Sequence, residues 1–416
     1  MATPASKLTT SPEFLKLWAA ETVSVFGFQI SGLALPLTAA LTLRATPAQM
    51  GVLNALDTLP FLLFGLFAGA LVDRIRRRPL MVRVDLVRAA LLAVVPLAAL
   101  LGVLHMEVLY VVAFLVGVAT LLFDVAYQSF LPSVVRRDQL TDGNAKLETS
   151  RALSGILGPG LAGGLVQLVT APIAIFVNAL TFLLSAAFLG MMRVQEAPPA
   201  PSDTPNVWRE IGEGVRVVTH NPMLRAIAAC TSISNFFSAA AGAVFVLYAT
   251  RTLSLNPALL GTVLGVGGAG ALIGALLAAR LPERFGVGRV LVVSAGLFPL
   301  SAVLVPLARP GLSAVLLLAA AQFGTGLAVL VYNVAQVSLR QAITPRRLLG
   351  RMNATMRFFV WGTMPLGALL GGALGGLLDL RVTLVLAALG QALAVLPVLL
   401  SPVRGLRAIP DLADEE

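Results

Sequence analysis

One kind of segment recurs twelve times along this chain: an apolar run about as long as a bilayer is thick. A helix crossing the hydrocarbon core needs about 20 mainly apolar residues. Runs of that size occupy 14–42, 49–72, 80–104, 108–131, 145–169 and 172–193, and then 223–250, 258–281, 289–308, 311–335, 351–378 and 382–402. Backbone groups in lipid must pair within the protein, so only helices and closed barrels can span. Barrel strands would show as segments of about 10 alternating residues, and the chain has none of that pattern. Composition agrees, with 57% hydrophobic and 12% charged residues, against roughly 25% charged in a soluble domain. The expected fold is therefore all-α and integral to the membrane, with twelve transmembrane helices. The first run lacks a small-residue cleavage site and reads as a span, not a removable signal.

Charge placement orients these spans. The chain carries a net charge of +10. Its basic residues sit at the ends of apolar runs and form no dense basic domain, which excludes nucleic acid as the expected partner. Of the 30 Lys and Arg, only Arg44, Arg251, Arg309 and Arg381 fall in the linkers after odd-numbered spans. Arg74, Arg76, Arg77, Arg78 and Arg83 cluster around the linker between spans two and three, Arg136 and Arg137 between four and five, and Arg340, Arg346, Arg347 and Arg351 around that between ten and eleven. Positive charge stays inside, so both termini are expected in the cytoplasm. Span six is followed by a Pro-rich stretch and then Val207 to Val218, where Trp208, Ile211, Val215 and Val218 recur opposite Arg209, Glu210, Glu213 and Arg216. That pattern fits an amphipathic helix at the cytoplasmic interface, or equally a solvated connector.

The chain also aligns with itself. At an offset of 210, Pro47 falls on Pro257, Gly51 on Gly261, Asp73 on Glu283 and Arg74 on Arg284. At 209, Asp124 falls on Asn333, Arg137 on Arg346 and Asn144-Ala145 on Asn353-Ala354; after a short slip, Arg151 falls on Arg357 and Pro159 on Pro365. The chain thus divides into a six-helix bundle at 1–193, a linker with an amphipathic helix at 194–222, a second bundle at 223–403 and a cytoplasmic tail at 404–416. Parallel repeats of this kind belong to transporters that bind solute between the halves near the midplane.

The loop Gly69-Ala-Leu-Val-Asp73-Arg74-Ile-Arg76-Arg77-Arg78 is similar to Gly-x-Leu-Ala-Asp-Arg-x-Gly-Arg-Arg, the loop motif of the major facilitator superfamily, with Arg76 where Gly is usual. The second-half copy, Glu283-Arg284-Phe-Gly286, keeps the Gly and has Glu for Asp. With the twelve-span repeat, the chain resembles that superfamily over nearly its whole length. Leu35-Pro36-Leu37, Asp124-Val-Ala-Tyr-Gln-Ser-Phe-Leu-Pro132 and Asn144-Ala145 resemble its macrolide-efflux and enterobactin-exporter branch of drug:proton antiporters. Such proteins carry drugs or metabolites on proton or sodium gradients. Many have an acid directly after the Gly of span one, where this chain has Phe28 after Gly27. Gly158-Pro159-Gly160-Leu161-Ala162-Gly163-Gly164 resembles the antiporter signature of span five. Physically, Gly158, Pro159 and Gly163 would make a bent, small-faced helix that packs closely where the halves meet, a role ordinary glycine packing would also fill.

An ionised group at the bilayer centre costs at least about 2.5–3.5 kcal/mol, so each one asks for a function. Three carboxylates fall well inside predicted spans: Glu21, Asp57 and Asp124. Asp57, about 10 Å from the outer start of span two at 1.5 Å per residue, and Glu21, similarly deep from the cytoplasmic side, are the candidates for proton coupling or contact with a cationic solute. Each has a structural alternative: Asp57 satisfied by Asn54, Glu21 paired with an arginine. The resemblance implies that Asp73, Arg74, Arg77 and Asp124 form a cytoplasmic gate, with Asp124 paired to Arg77. Arg151 has Asp124 or Glu148 as expected partners, and Asp85 and Arg88, one turn apart, are expected to satisfy each other. Gln29, Asn54, Asn178, Asn235, Gln322, Tyr332 and Asn333 are candidate polar residues of a mostly apolar cavity, or helix-packing hydrogen bonds.

Several functions are excluded. Gly265-Val-Gly267-Gly268-Ala-Gly270 matches a dinucleotide fingerprint but lies within a span, without the required strand. Two histidines and one cysteine cannot build a metal cluster, a disulfide framework or a nucleophilic triad, and no ATP-binding loop is present. The expectation is no enzyme, no cofactor and no metal. The chain is expected to be a monomeric, multi-pass protein of the bacterial inner membrane. It would export drugs or small hydrophobic or cationic metabolites and, as the resemblance implies, do so against protons or sodium, with lipid as its other partner. A siderophore or other specific metabolite exporter, a lipid flippase and a transport-derived receptor are the alternatives.

Overall fold

The computed structural model describes residues 8, 11–72, 74–136, 139–194, 196 and 207–408. Fifteen α-helices account for nearly all of them, and no strand occurs among the described residues. In the first half these are α1 (Pro12–Leu37), α2 (Pro47–Val72), α3 (Arg77–Leu100), α4 (Met106–Val134), α5 (Leu140–Val169) and α6 (Ala171–Gly190). A connecting helix, α7 (Val207–His220), leads to α8 (Pro222–Leu247), α9 (Pro257–Ala278), the short α10 (Arg280–Phe285), α11 (Val287–Leu307), α12 (Leu312–Ala342), α13 (Leu349–Leu377), α14 (Leu380–Leu393) and α15 (Val395–Leu399). Ten of the membrane helices are long and apolar enough to cross a bilayer by composition alone. The other two, α2 and α3, have 26 and 24 residues and pack among them. Side chains such as Leu100, Leu168, Val293 and Leu377 point outward, more than two-thirds exposed, as a lipid-facing belt requires.

The repeat is visible in fine structure. Ser11 and Asn221, 210 residues apart, cap α1 and α8, and each is followed by Pro. Both helices end in a single π-helical turn, Thr38–Thr42 and Tyr248–Thr252. Both then turn through a left-handed residue, Arg44 (φ 51°) and Ser254 (φ 54°). Neither is glycine, and the same strained backbone at the same repeat position marks a shared design. The packing pairs match as well: α1 with α5 and α6, α2 with α4, and α3 with α4 and α6, against α8 with α13 and α14, α9 with α12, and α11 with α12 and α14. The chain therefore builds two six-helix bundles related by a pseudo-twofold axis.

The halves meet through α2 on α13 and α5 on α9, a pair of contacts that the same axis exchanges. Near the face opposite the chain termini, here the far face, these contacts are backbone on backbone. A Cβ on Gly51 would lie 2.8 Å from Gly372 Cα, and one on Gly163 would lie 2.9 Å from Gly261 Cα. Only glycine permits that approach. Arg251 crosses the seam there and donates to Ala45 O at 2.8 Å.

The buried apolar clusters divide in the same sense. One cluster near the far face draws on both halves, from Leu37, Met50 and Leu109 to Leu247, Leu260 and Leu384. Toward the terminal face the first half has its own cluster, with Phe14, Leu17 and Phe130, and the second half has another, with Leu291, Leu339 and Met352. A cavity of about 240 Å³ lies between the halves on that side, lined by Gly65 of α2, Leu121 of α4 and Asn353 and Arg357 of α13. Ring contact between Phe61 and Trp361, centroids 4.9 Å apart, links α2 to α13 at its edge. Backbone contact closes the far face, and toward the terminal face a cavity parts the described helices of the two halves.

Candidate functional site

Within the first half, α1, α3, α4, α5 and α6 enclose a charged chamber of about 240 Å³. Glu21 enters it from α1 and is buried. Arg151 of α5 grips one oxygen of that carboxylate through Nε at 3.1 Å and Nη2 at 2.9 Å. Its remaining nitrogen, Nη1, donates to Glu148 at 2.8 Å. Arg88 of α3 binds Asp85 at 3.1 Å, both side chains almost wholly buried. Its guanidinium lies over the rings of Phe123 (4.5 Å) and Phe182 (5.0 Å), contacts worth about 0.5–2 kcal/mol each. The aromatic faces hold the cation toward the chamber, where Asp124 of α4 also opens.

Asp124 makes no hydrogen bond or ion pair among the described residues; the cations whose fields reach it are Arg88, Arg151 and, from the second half, Arg357. The expected pairing with Arg77 is not formed. Arg77 begins α3 at the terminal face, where its backbone N–H donates to Glu196 Oε2 at 2.6 Å. Asp124 lies ten residues inside the end of α4, about 15 Å deeper at 1.5 Å per residue. Of the other expected gate residues, Arg74 is exposed at the terminal face and Asp73 lies outside the described residues.

Asp57 occupies a separate, smaller cavity of about 100 Å³, closer to the far face, with Asn54 and Asn178 beside it. Phe28 and Phe182 line both cavities. Asn54 does not satisfy Asp57: it donates instead to Met50 O of its own helix at 2.9 Å. The Asp57 side chain has no hydrogen-bond or ion-pair partner among the described residues and is open to the interior.

The second half has a neutral cavity of about 350 Å³ in the corresponding place. Asn235, Gln322, Tyr332 and Asn333 all line it, and no charged residue does. Tyr332 shares a 3.0 Å hydrogen bond with Thr231, and Asn235 donates to Val360 O of α13 at 3.1 Å. The other polar candidates hold helices together. Gln29 donates to Ser154 O at 3.1 Å, and Asn178 donates to Ser31 at 2.5 Å. Gly163 packs on Gly261 across the seam, whereas Gly158 faces Gln29 of α1, whose Cβ a glycine-to-alanine change would meet at 2.7 Å; the carbonyl of Pro159 lies against Gly261.

Sequence reasoning passed over two chamber residues, Arg88 and Arg151. Asp85 was the expected partner of Arg88, and Asp124 or Glu148 that of Arg151; Asp85 and Glu148 are bound, and Asp124 is not. What the local spacing did not carry is that each guanidinium has a second face turned into the chamber. The polar residues Thr231, Ser234 and Ser238 were also missed, although with Asn235 they recur at helical spacing on one face of an otherwise apolar span.

Comparison with known proteins agrees with this architecture. The chain is 29% identical over 339 residues to the multidrug efflux pump Tap of Mycolicibacterium fortuitum, covering 78% of this chain and 80% of that one. It is 25% identical over 363 residues to macrolide efflux protein A of Streptococcus pyogenes, covering 86% and 88%. Among solved structures, a bacterial homologue of the iron transporter ferroportin in its inward-facing state superposes with a TM-score of 0.75 at 16% identity, over 95% of this chain and 99% of that one. The family model described as transmembrane secretion effector matches residues 3–414, taking in both halves and both chambers, and the chain belongs to that family of major facilitator superfamily transporters.

Proposed function

We propose that the protein is a secondary active exporter of drugs or small hydrophobic or cationic metabolites, working by alternating access with protons moving in exchange. The carrying observation is the union of a crevice closed at one face and parted at the other with ionisable groups deep in the membrane. Glu21, Asp57 and Asp124 all open to interior cavities. The bundles 1–193 and 223–403 rock about the glycine seam, joined by 194–222. The excess of arginine near the terminal face makes that face cytoplasmic, so the conformation described is open to the cytoplasm of a bacterial inner membrane. Efflux by Tap and macrolide efflux protein A supports export as the direction.

Asp57 is the favoured proton carrier. It has no ion-pair partner among the described residues, and its cavity adjoins the charged chamber across Phe28 and Phe182. Glu21 is the second candidate, because release of Arg151 would change its charge state. Asp73, Arg74 and Arg77 remain the proposed cytoplasmic gate, closing in the opposite conformation. The test is flux of a cationic dye in proteoliposomes under an imposed pH gradient. Wild type should move dye, and Asp57→Asn should bind dye but lose most gradient-driven flux. Glu21→Gln distinguishes the two carriers. If neither substitution alters flux, these carboxylates are not the coupling groups; if wild type moves no dye under any gradient, the exporter reading fails.

A further inference from the structure

Three of the four charged residues of the chamber have neutral equivalents in the second half; the fourth, Arg151, corresponds to Arg357, which lines the cavity between the halves instead. Glu21 corresponds to Thr231 and Arg88 to Phe298, 210 residues on, and Asp124 corresponds to Asn333, 209 residues on. All three replacements line the second-half cavity. The same architectural pocket has thus been built twice, once with charges and once without.

The neutral copy is rich in hydrogen-bonding capacity that the protein itself does not use. Ser234 and Ser301 are more than nine-tenths buried and line the cavity with Gln322 and Thr325. None of these four side chains has a hydrogen-bond partner among the described residues. Buried polar groups normally find partners, and each exception asks for an explanation such as a ligand or water. The polar groups are not scattered: Thr231, Ser234, Asn235 and Ser238 form one stripe of α8, and Gln322, Thr325, Tyr332 and Asn333 form another on α12. The aromatic rings of Phe245, Phe298 and Tyr332 line the same cavity. Amides and hydroxyls around aromatic faces, with no charge to balance an ion, suit an uncharged ring that carries several hydroxyls. A volume of about 350 Å³ falls in the range of roughly 300–1,000 Å³ typical of small-molecule sites.

We propose that the cavity enclosed by α8, α9, α11, α12 and α14 is a binding site for an uncharged, polyhydroxylated solute or solute moiety, glycoside-like in chemistry, separate from the charged chamber of the first half. This assignment rests on the transport reading and names the chemistry its solute presents to the second half.

The test uses the full-length chain in lipid nanodiscs, which avoids sugar-based detergents, with p-nitrophenyl β-D-glucoside as the probe and equilibrium dialysis as the readout. Wild type should bind the glucoside saturably. Gln322→Leu and Asn333→Leu should each weaken binding roughly tenfold, the effect of losing one buried polar partner. Gln322→Asn should restore part of the loss, and Leu168→Ala, on the lipid-facing belt, should leave affinity unchanged. Thermal melting of each variant separates lost binding from lost fold. No saturable binding by folded wild type overturns the assignment, as does saturable binding that neither Leu variant weakens. Binding without gradient-driven flux in proteoliposomes would sink the exporter reading and leave the site. Flux of the glucoside that is indifferent to Gln322 and Asn333 would sink the site and leave the exporter.

Discussion

At Glu21, Arg88 and Asp124 the first half of this protein carries charge into the membrane, and at Thr231, Phe298 and Asn333, the equivalent places in the second half, it carries none. The helices around the two sites have matching neighbours, matching π-helical ends and matching turns. Backbone architecture has been kept while the chemistry within it has diverged. Under the proposed mechanism, symmetry of the scaffold would serve motion, because two like bundles can rock about a shared seam. Asymmetry of the lining would serve coupling, with one chamber responding to charge while the other reads shape and hydrogen bonds. The aromatic content fits this division. Phe123 and Phe182 support a cation, whereas Phe298 meets Tyr332 edge-on at 5.5 Å, leaving ring surface for a solute.

The comparison can be broken most decisively at the buried ion pair. Asp85→Asn removes the carboxylate that Arg88 binds at 3.1 Å, and loss of one partner of a buried pair costs about 3–5 kcal/mol. A thermal melt should show a large drop for this variant. If Asp85→Asn melts like wild type, the charged chamber is more solvated than its burial implies, and the contrast between the halves weakens.

A smaller effect, but a sharper test of the symmetry, is expected at the seam. Gly51 and Gly261 are repeat-equivalent, and each meets backbone of the opposite half. Gly51→Ala and Gly261→Ala should each destabilise the far-face-closed form by about 1–3 kcal/mol, the usual cost of overpacking. Accessibility labelling of single cysteines placed at the far face, in a background lacking Cys230, would read the shift. Equal effects support a seam shared evenly by the two crossings, α2 on α13 and α5 on α9. Unequal effects would make one crossing the true hinge.

The smallest expected change lies in the neutral half. Thr231→Val removes the 3.0 Å bond to Tyr332 while keeping the shape of the side chain. Its net cost should be about 0.5–1.5 kcal/mol, well below that of Asp85→Asn. Urea or thermal titration of both variants side by side checks the ranking. A Thr231→Val loss as large as that of the ion pair would mean that the second-half hydrogen bonds are a rigid network, not an adaptable lining.

The sequence by itself determined the membrane fold, because that information is carried by runs of residues. Twelve apolar segments leave a chain in lipid no choice but helices, and matches such as Pro47 with Pro257 and Gly51 with Gly261 carry the twofold repeat in one dimension. It also placed Glu21, Asp57 and Asp124 at depth, since depth along a helix is a count of residues. Which groups face one another was decided only by the tertiary structure. Arg151 reaches Glu21 across 130 positions of chain, and Asp124 shares a chamber with Arg88 and Arg151 while Arg77 stays at the surface end of α3. Rotation about the helix axis and the choice of packing partner set these contacts, and neither is written in local spacing. The same physics hid the opening at the terminal face: glycines mark where helices are able to touch, but only their placement in space, Gly51 on Gly372 and Gly163 on Gly261, shows which face the contact closes.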